Sequence, residues 1–307
     1  MSAALVLKVD VDTYHGTLEG IPRLLDLFAK ESIRATFFFS LGPDTSGKAI
    51  KRVFRKGFIR KVLSASPAAS YGLRTMLYGT LLPAPDIGKS PDAIARMREV
   101  KAAGHECGIH AWDHIDWHDR LPRMNRPEVE RVVACCHQRF REVFGEPATL
   151  SAAPGWTATA LSMEVQEAAG IRVTSDSRGG APFHPLRLDG SASAILEVPS
   201  TLPTLDELLA WPEYRKNHDA VVPHLVDAVR QSPGIAVHSL HTEIEGGKAF
   251  VDLFRRQLRA WKDAGVPFLP LGAAAASALS SGIEIPAAAL TWSTLPGRST
   301  PVASHAA

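Results

Sequence analysis

Two histidines in His110-Ala-Trp-Asp-His114 and, far upstream, two carboxylates in Asp10-Val-Asp12 are the side chains best suited to chemistry. Histidines four apart on a helical turn share one side, so both imidazoles would reach one ion. The chain holds 12 histidines, so such a pair arises readily by chance, and a surface turn with no ligand is the bland alternative. Asp10 and Asp12 end the first apolar strand, Ala4-Leu-Val-Leu-Lys-Val9. If that strand shares a sheet with Glu106-Cys-Gly-Ile109, one carboxylate completes a two-His, one-Asp set that leaves positions open for water. That donor set belongs to a catalytic rather than a structural metal. An ion so held polarises a carbonyl and acidifies water. Asp10 and Asp12 point the same way if the strand continues, one to the ion and one beside it as general base. A leaving amine needs a proton, and His238 or His241 at the end of a late strand could supply it, because imidazole titrates near neutrality. The sum is metal-assisted hydrolysis of an amide or ester.

The elements that must position these groups alternate along the chain. Apolar strands are expected at 4–9, 35–39, 105–109, 149–152, 171–175, 195–198, 235–240 and 266–269. Helices are expected from Pro22, Ser90-Pro91 and Pro127, and over 160–169, 218–230 and 250–261. Strand–helix alternation predicts an α/β fold with a parallel sheet, open or closed. Asp10, Asp12, His110, Trp156, Asp176, His238 and His241 all fall at C-terminal strand ends, the face that carries the site in a (β/α) barrel. Polar residues also collect wherever strands meet loops. The clustering of Asp and His, rather than Ser and Asn, favours function.

Composition narrows the setting. The chain has 307 residues, 45% hydrophobic and 21% charged, which suits one large domain or two small ones. A formal net charge of +2 gives no ground for nucleic-acid binding. Cys107, Cys135 and Cys136 form no disulfide framework and are expected to be reduced, as in a cytoplasmic protein. Lys8 and Asp10 interrupt the N-terminal apolar run, so no signal peptide is expected. No run approaches the ~20 apolar residues of a membrane span. Residues 44–90 form an insert with no acidic residue between Asp44 and Asp86. There Lys51, Arg52 and Arg55 interleave with Ile50, Val53, Phe54 and Phe58, which share a face at helical spacing. A basic amphipathic helix of this kind suits an anionic membrane surface. A solvated helix packed on the barrel is the alternative. Residues 291–307 are rich in Ser, Thr, Pro and Ala and are expected to be disordered.

Val9-Asp-Val-Asp12, His110-x-x-x-His114, the Pro154-Gly-Trp156 loop, Asp176 and a late His together resemble the motifs of the polysaccharide deacetylases (NodB homology, carbohydrate esterase family 4). The resemblance implies a distorted (β/α) barrel of about seven strands over residues 1–290. It implies one divalent metal, zinc first, with manganese or cobalt as alternatives. Asp10 becomes the base, Asp12, His110 and His114 the ligands, and the late His the acid. Longer stretches, among them Glu19-Gly-Ile-Pro-Arg-Leu-Leu25, Ser175-Asp-Ser-Arg-Gly179 and His241-Thr-Glu-Ile-Glu-Gly246, are similar to the formamidoarabinose-phosphoundecaprenol deformylases from about residue 5 to 272. That group removes a formyl group from an aminoarabinose carried on undecaprenyl phosphate, on the way to lipid A modification and polymyxin resistance.

The likeness assigns the acid role to His241 and implies a peripheral protein on the inner face of the bacterial inner membrane. The lipid-linked sugar and the anionic membrane would be its partners. Trp156 is expected against substrate, and Phe54, Phe58, Lys51, Arg52 and Arg55 against lipid; no nucleic-acid or protein partner is expected. One departure stands out. The family carries an Arg before the Pro of its third motif, where this chain has Ser151-Ala-Ala-Pro154, and Arg178 beside Asp176 is expected to hold the base instead. The rival readings are an amidohydrolase of the same fold acting on a soluble sugar or heterocyclic amide, and a lipid-binding protein with an inactive barrel.

Overall fold

The computed structural model of the chain describes residues 3–49, 74–298 and 300–305. Its frame is a seven-stranded sheet: β1 (Ala4–Val11), β2 (Thr36–Ser40), β3 (Glu106–Ala111), β4 (Leu150–Ser151), β5 (Val173–Thr174), β6 (Leu196–Glu197) and β7 (Ile235–His241). All neighbours are parallel, in the order β6-β5-β4-β3-β2-β1-β7. The strands curl into a half-barrel. The chain leaving β6 reaches back to β7, where Thr201 N donates to Val237 O at 3.1 Å. The expected parallel α/β architecture is therefore present.

Alternation along β1 sorts its side chains. Leu5, Leu7, Val9 and Val11 face the main core, whereas Val6 joins a smaller cluster on the other face. The same parity puts Lys8, Asp10 and Asp12 on the Val6 side. The outer layer comprises α1 (Ile21–Glu31), α2 (Pro91–Ala102), α3 (His114–Arg120), α4 (Arg126–Phe144), α5 (Ala160–Ala169), α6 (Leu205–Ala210), α7 (Val221–Gln231) and α8 (Val251–Asp263). Trp261 of α8 and Phe28 of α1 are among the largest fully buried side chains, and Phe254 of α8 packs edge-on against Phe28. The start of α4 is fixed by a reciprocal cap between Asn125 and Glu128, and Gly145, at φ 76°, stops it.

Two expectations change. Val266–Leu269 forms no strand; Phe268 makes a single bridge to Leu5 and the chain turns away. The tail is folded: β8 (Leu290–Ser293) pairs antiparallel with β9 (Val302–His305), and Val302 and Ala303 are fully buried. Its small side chains fit against Ala158 and Met163, and Arg178 N donates to Ala303 O at 2.8 Å, so low hydrophobicity did not prevent docking. Lys51, Arg52, Phe54, Arg55 and Phe58 lie outside the described residues. Among the described residues, no helix is long and apolar enough to cross a membrane.

Candidate active site

The β1 column ends at the mouth of the half-barrel, with β2 between it and β3. His110 is the penultimate residue of β3 and His114 opens α3, so the two stand on either side of a chain reversal rather than on one helical turn. Asp113 makes that reversal. Its carboxylate accepts from the N–H groups of Ile115 and Asp116 at 3.0 Å and from Thr45 Oγ1 at 2.8 Å. The imidazole centroids come within 5.3 Å. His110 Nε2 lies 3.1 Å from Asp12 Oδ1, and His114 Nε2 lies 3.5 Å from Asp12 Oδ2.

One donor atom from each of Asp12, His110 and His114 falls within 4.8 Å of the others. A tetrahedron with bonds of ~2.0–2.1 Å has edges of about 3.3 Å, so the set fits a small divalent ion. Both ring nitrogens of His110 and Oδ1 of Asp12 are buried without a well-formed hydrogen bond, as expected where donors converge on a cation. Burial resists ionisation of Asp12, but the charges of His114 and His110 outweigh it and hold the carboxyl far below its usual range. Burial likewise resists protonation of His110, and Asp10 and Asp12 overcome it and raise its pKa.

Asp10 and His241 are register partners on adjacent strands β1 and β7. They flank the triad from the same side of the sheet. Nδ1 of His241 faces Asp206 of α6 at 3.8 Å, and its backbone N–H donates to Glu245 at 2.8 Å. Burial would lower the His241 pKa, but Asp206, Asp12, Glu245 and Asp10 lift it to about 9. An imidazolium beside a carboxylate is a proton donor in place. Asp10 Oδ1 lies 3.9 Å from His110 Nδ1, and Asp10 Oδ2 lies 3.5 Å from Lys8 Nζ.

Other expected residues stand elsewhere. His238 points to the opposite face, edge-on to Trp261 at 5.4 Å, and burial presses its pKa to about 3. It is part of the core, which leaves His241 as the strand-end imidazole at the site. Trp156 is 2% exposed and presents no surface to substrate. Its Nε1 donates to Ser200 Oγ at 2.8 Å, and the Arg178 and Arg298 guanidinium carbons each lie 4.6 Å from its ring centroid. Arg178 does not reach Asp10. It pairs with Glu207 at 2.8 Å and donates to the carbonyls of Ser200 and Leu202, which consume its donors. Asp176 is fully buried and accepts from Gln166 Nε2 at 2.9 Å; burial, then the Glu197 charge, raises its pKa to about 7. With His110 it lines a cavity of about 20 Å³, room for one water.

Lys8, Asp206 and Glu243 were not anticipated. Glu243 accepts from Thr13 N and Oγ1 at 3.0 and 2.6 Å, tying the loop after β7 to the end of β1. Lys8 had a signal in the sequence: Lys8, Asp10 and Asp12 repeat every second residue, a charged column inside an apolar strand. Asp206 had none, because nothing in Thr204-Leu-Asp206 announces a contact with residue 241.

A model of the polysaccharide deacetylase family matches residues 9–174. A Shewanella sediminis protein named as a 4-deoxy-4-formamido-L-arabinose-phosphoundecaprenol deformylase, ArnD, is 35% identical over 266 residues, covering 86% of this chain and 83% of its own. A Wigglesworthia glossinidia brevipalpis protein of the same name is 29% identical over 287 residues, covering 92% of this chain and 96% of its own. A Mycobacterium smegmatis structure, described as a polysaccharide deacetylase, superposes with a TM-score of 0.63 at 15% identity over 92% of each chain, a likeness of fold. With its motifs on the strand ends and a family match across more than half its length, the chain belongs to the polysaccharide deacetylase family.

Proposed function

We propose that the chain is a zinc-dependent deformylase acting on 4-deoxy-4-formamido-L-arabinose carried on undecaprenyl phosphate. The observation that supports it best is the register pairing of Asp10 with His241 beside the Asp12–His110–His114 triad. On this reading Asp10 is the base, Asp12, His110 and His114 are the ligands and His241 is the acid. The name of the Shewanella sediminis relative supplies the substrate. An ion held by the triad would polarise the formyl oxygen and acidify the attacking water. Asp10 takes a proton from that water as its oxygen bonds to the formyl carbon. His241 then protonates the sugar nitrogen as the C–N bond breaks, and formate and the amine leave. Asp206 holds the His241 ring and stabilises its charge.

In this reading the basic insert docks on an anionic membrane, at the cytoplasmic face, and brings the lipid-linked sugar to the site. The product feeds lipid A modification and polymyxin resistance. The test is release of formate and acetate from matched formylated and acetylated aminoarabinose lipids, with and without chelator. Formate alone, lost on chelation and restored by zinc, is the expected result. Acetate release at an equal rate overturns the formyl assignment, and release that ignores chelator overturns the metal role.

A further inference from the structure

Lys8 is fully buried, its ammonium enclosed near the middle of the half-barrel. A charge so enclosed is tolerated only where opposite charge and hydrogen-bond acceptors surround it. Three groups meet it directly here, and the buried Asp176 carboxyl also feels its charge. Ser175 O accepts from Nζ at 2.9 Å, the Trp156 ring centroid lies 5.2 Å away, and Asp10 Oδ2 lies at 3.5 Å. The first two fix where the ammonium sits, and the third is what the ammonium holds. The other oxygen of Asp10, Oδ1, is buried with no hydrogen bond and faces the His110 side of the site. Among the described residues, no other lysine or arginine pairs with Asp10. Ser151-Ala-Ala-Pro154 offers none, and Arg178 is committed to Glu207.

We propose that Lys8 is the positioning residue for the base. It anchors Asp10 through Oδ2 and leaves Oδ1 as the free oxygen that receives the proton. Its place one step before Asp10 in the same inward column makes the contact a property of the strand itself, with no loop involved. Ser175, which follows β5, and Trp156, which follows β4, complete the seat, so three strand ends jointly set one carboxylate rotamer. This rests on the reading of Asp10 as the base.

The test is a double-mutant cycle in the zinc-loaded full chain, using Lys8→Met, Asp10→Asn and both together, with kcat, KM, zinc content and melting measured for each. Lys8→Met is expected to lower kcat by about 100-fold while KM stays within about threefold and zinc is retained. In the Asp10→Asn background the same change should cost nothing further, because Lys8 acts only through Asp10. Lys8→Arg should recover at least about a tenth of the lost rate. Losses that multiply in the double variant, or a Lys8→Met kcat within about threefold of the parent, overturn the proposal. Should Lys8→Met not fold, Lys8→Gln, neutral but able to donate to Ser175 O, replaces it with the same expectations. If the parent releases no formate, the functional reading falls by itself. Lys8 is then judged by the crystal structure of Lys8→Gln, in which Asp10 should leave its rotamer; an unmoved Asp10 rejects the role.

Discussion

The two faces of β1 and β7 treat the same residue types in opposite ways. On the outer face Leu5, Leu7, Val9, Ala236 and Leu240 pack against the helices, and His238 is held among them as a neutral ring on Trp261. On the inner face Asp10 and Asp12 are buried and His241 is half-buried, and they face one another. Burial lowers the pKa of both histidines, to about 3 at His238, where the Arg178 and His241 charges add to it. At His241 four nearby carboxyls reverse it, and the value rises to about 9. Enclosure does not decide protonation. It magnifies whatever charge is enclosed with the group.

The widest gap between the faces should follow loss of the metal seat. Asp12→Ala is expected to abolish turnover and bring zinc content to background, since Asp12 is the residue both imidazoles contact; retained zinc would mean the triad is not the seat. Next comes the pair of histidines. His241→Gln should lower kcat by ~10²–10⁴ with zinc retained, whereas His238→Leu should change kcat by less than about threefold. Equal losses from the two would erase the contrast.

A pH profile sharpens it further. If protonated His241 is the acid, kcat falls as pH rises through its pKa. That limb lies at or below pH 9, because a bound cation nearby disfavours the imidazolium. Asp206→Asn should move the limb to lower pH, and an unmoved limb would assign the acid elsewhere. The outer face answers in stability instead. Leu7→Ala should cost ~2–5 kcal/mol in denaturant unfolding while zinc binding persists. A kcat loss matching that of His241→Gln would show that the two faces are not separable.

Much of this was legible in the chain. Continuous apolar runs located β1, β2, β3 and β7, and the charges at their ends located the site. The His110–His114 spacing pointed to two imidazoles that do converge, though through another geometry, because four residues across a strand-to-helix reversal converge as well as four on a helix. Arg178 and Trp156 were misplaced for one reason. Local sequence cannot show that Glu207 and Arg298, from distant segments, meet at their side chains. The folded tail escaped because β8 and β9 are secured by backbone pairing and by two small buried residues, which hydrophobicity does not register.

The pairing of β1 with β7 has a kinetic consequence. Asp12, His110 and His114 belong to the first half of the chain, so a polypeptide extended only that far already holds every donor for an ion. Residue 10 meets residue 241 only when the ends of this long segment are brought together, the kind of remote contact that slows folding most. On the proposed function, ion capture and competence to cleave would thereby be separated in time. A partly folded chain would take up the ion early, be steadied by it, and still lack its proton donor until β7 docks.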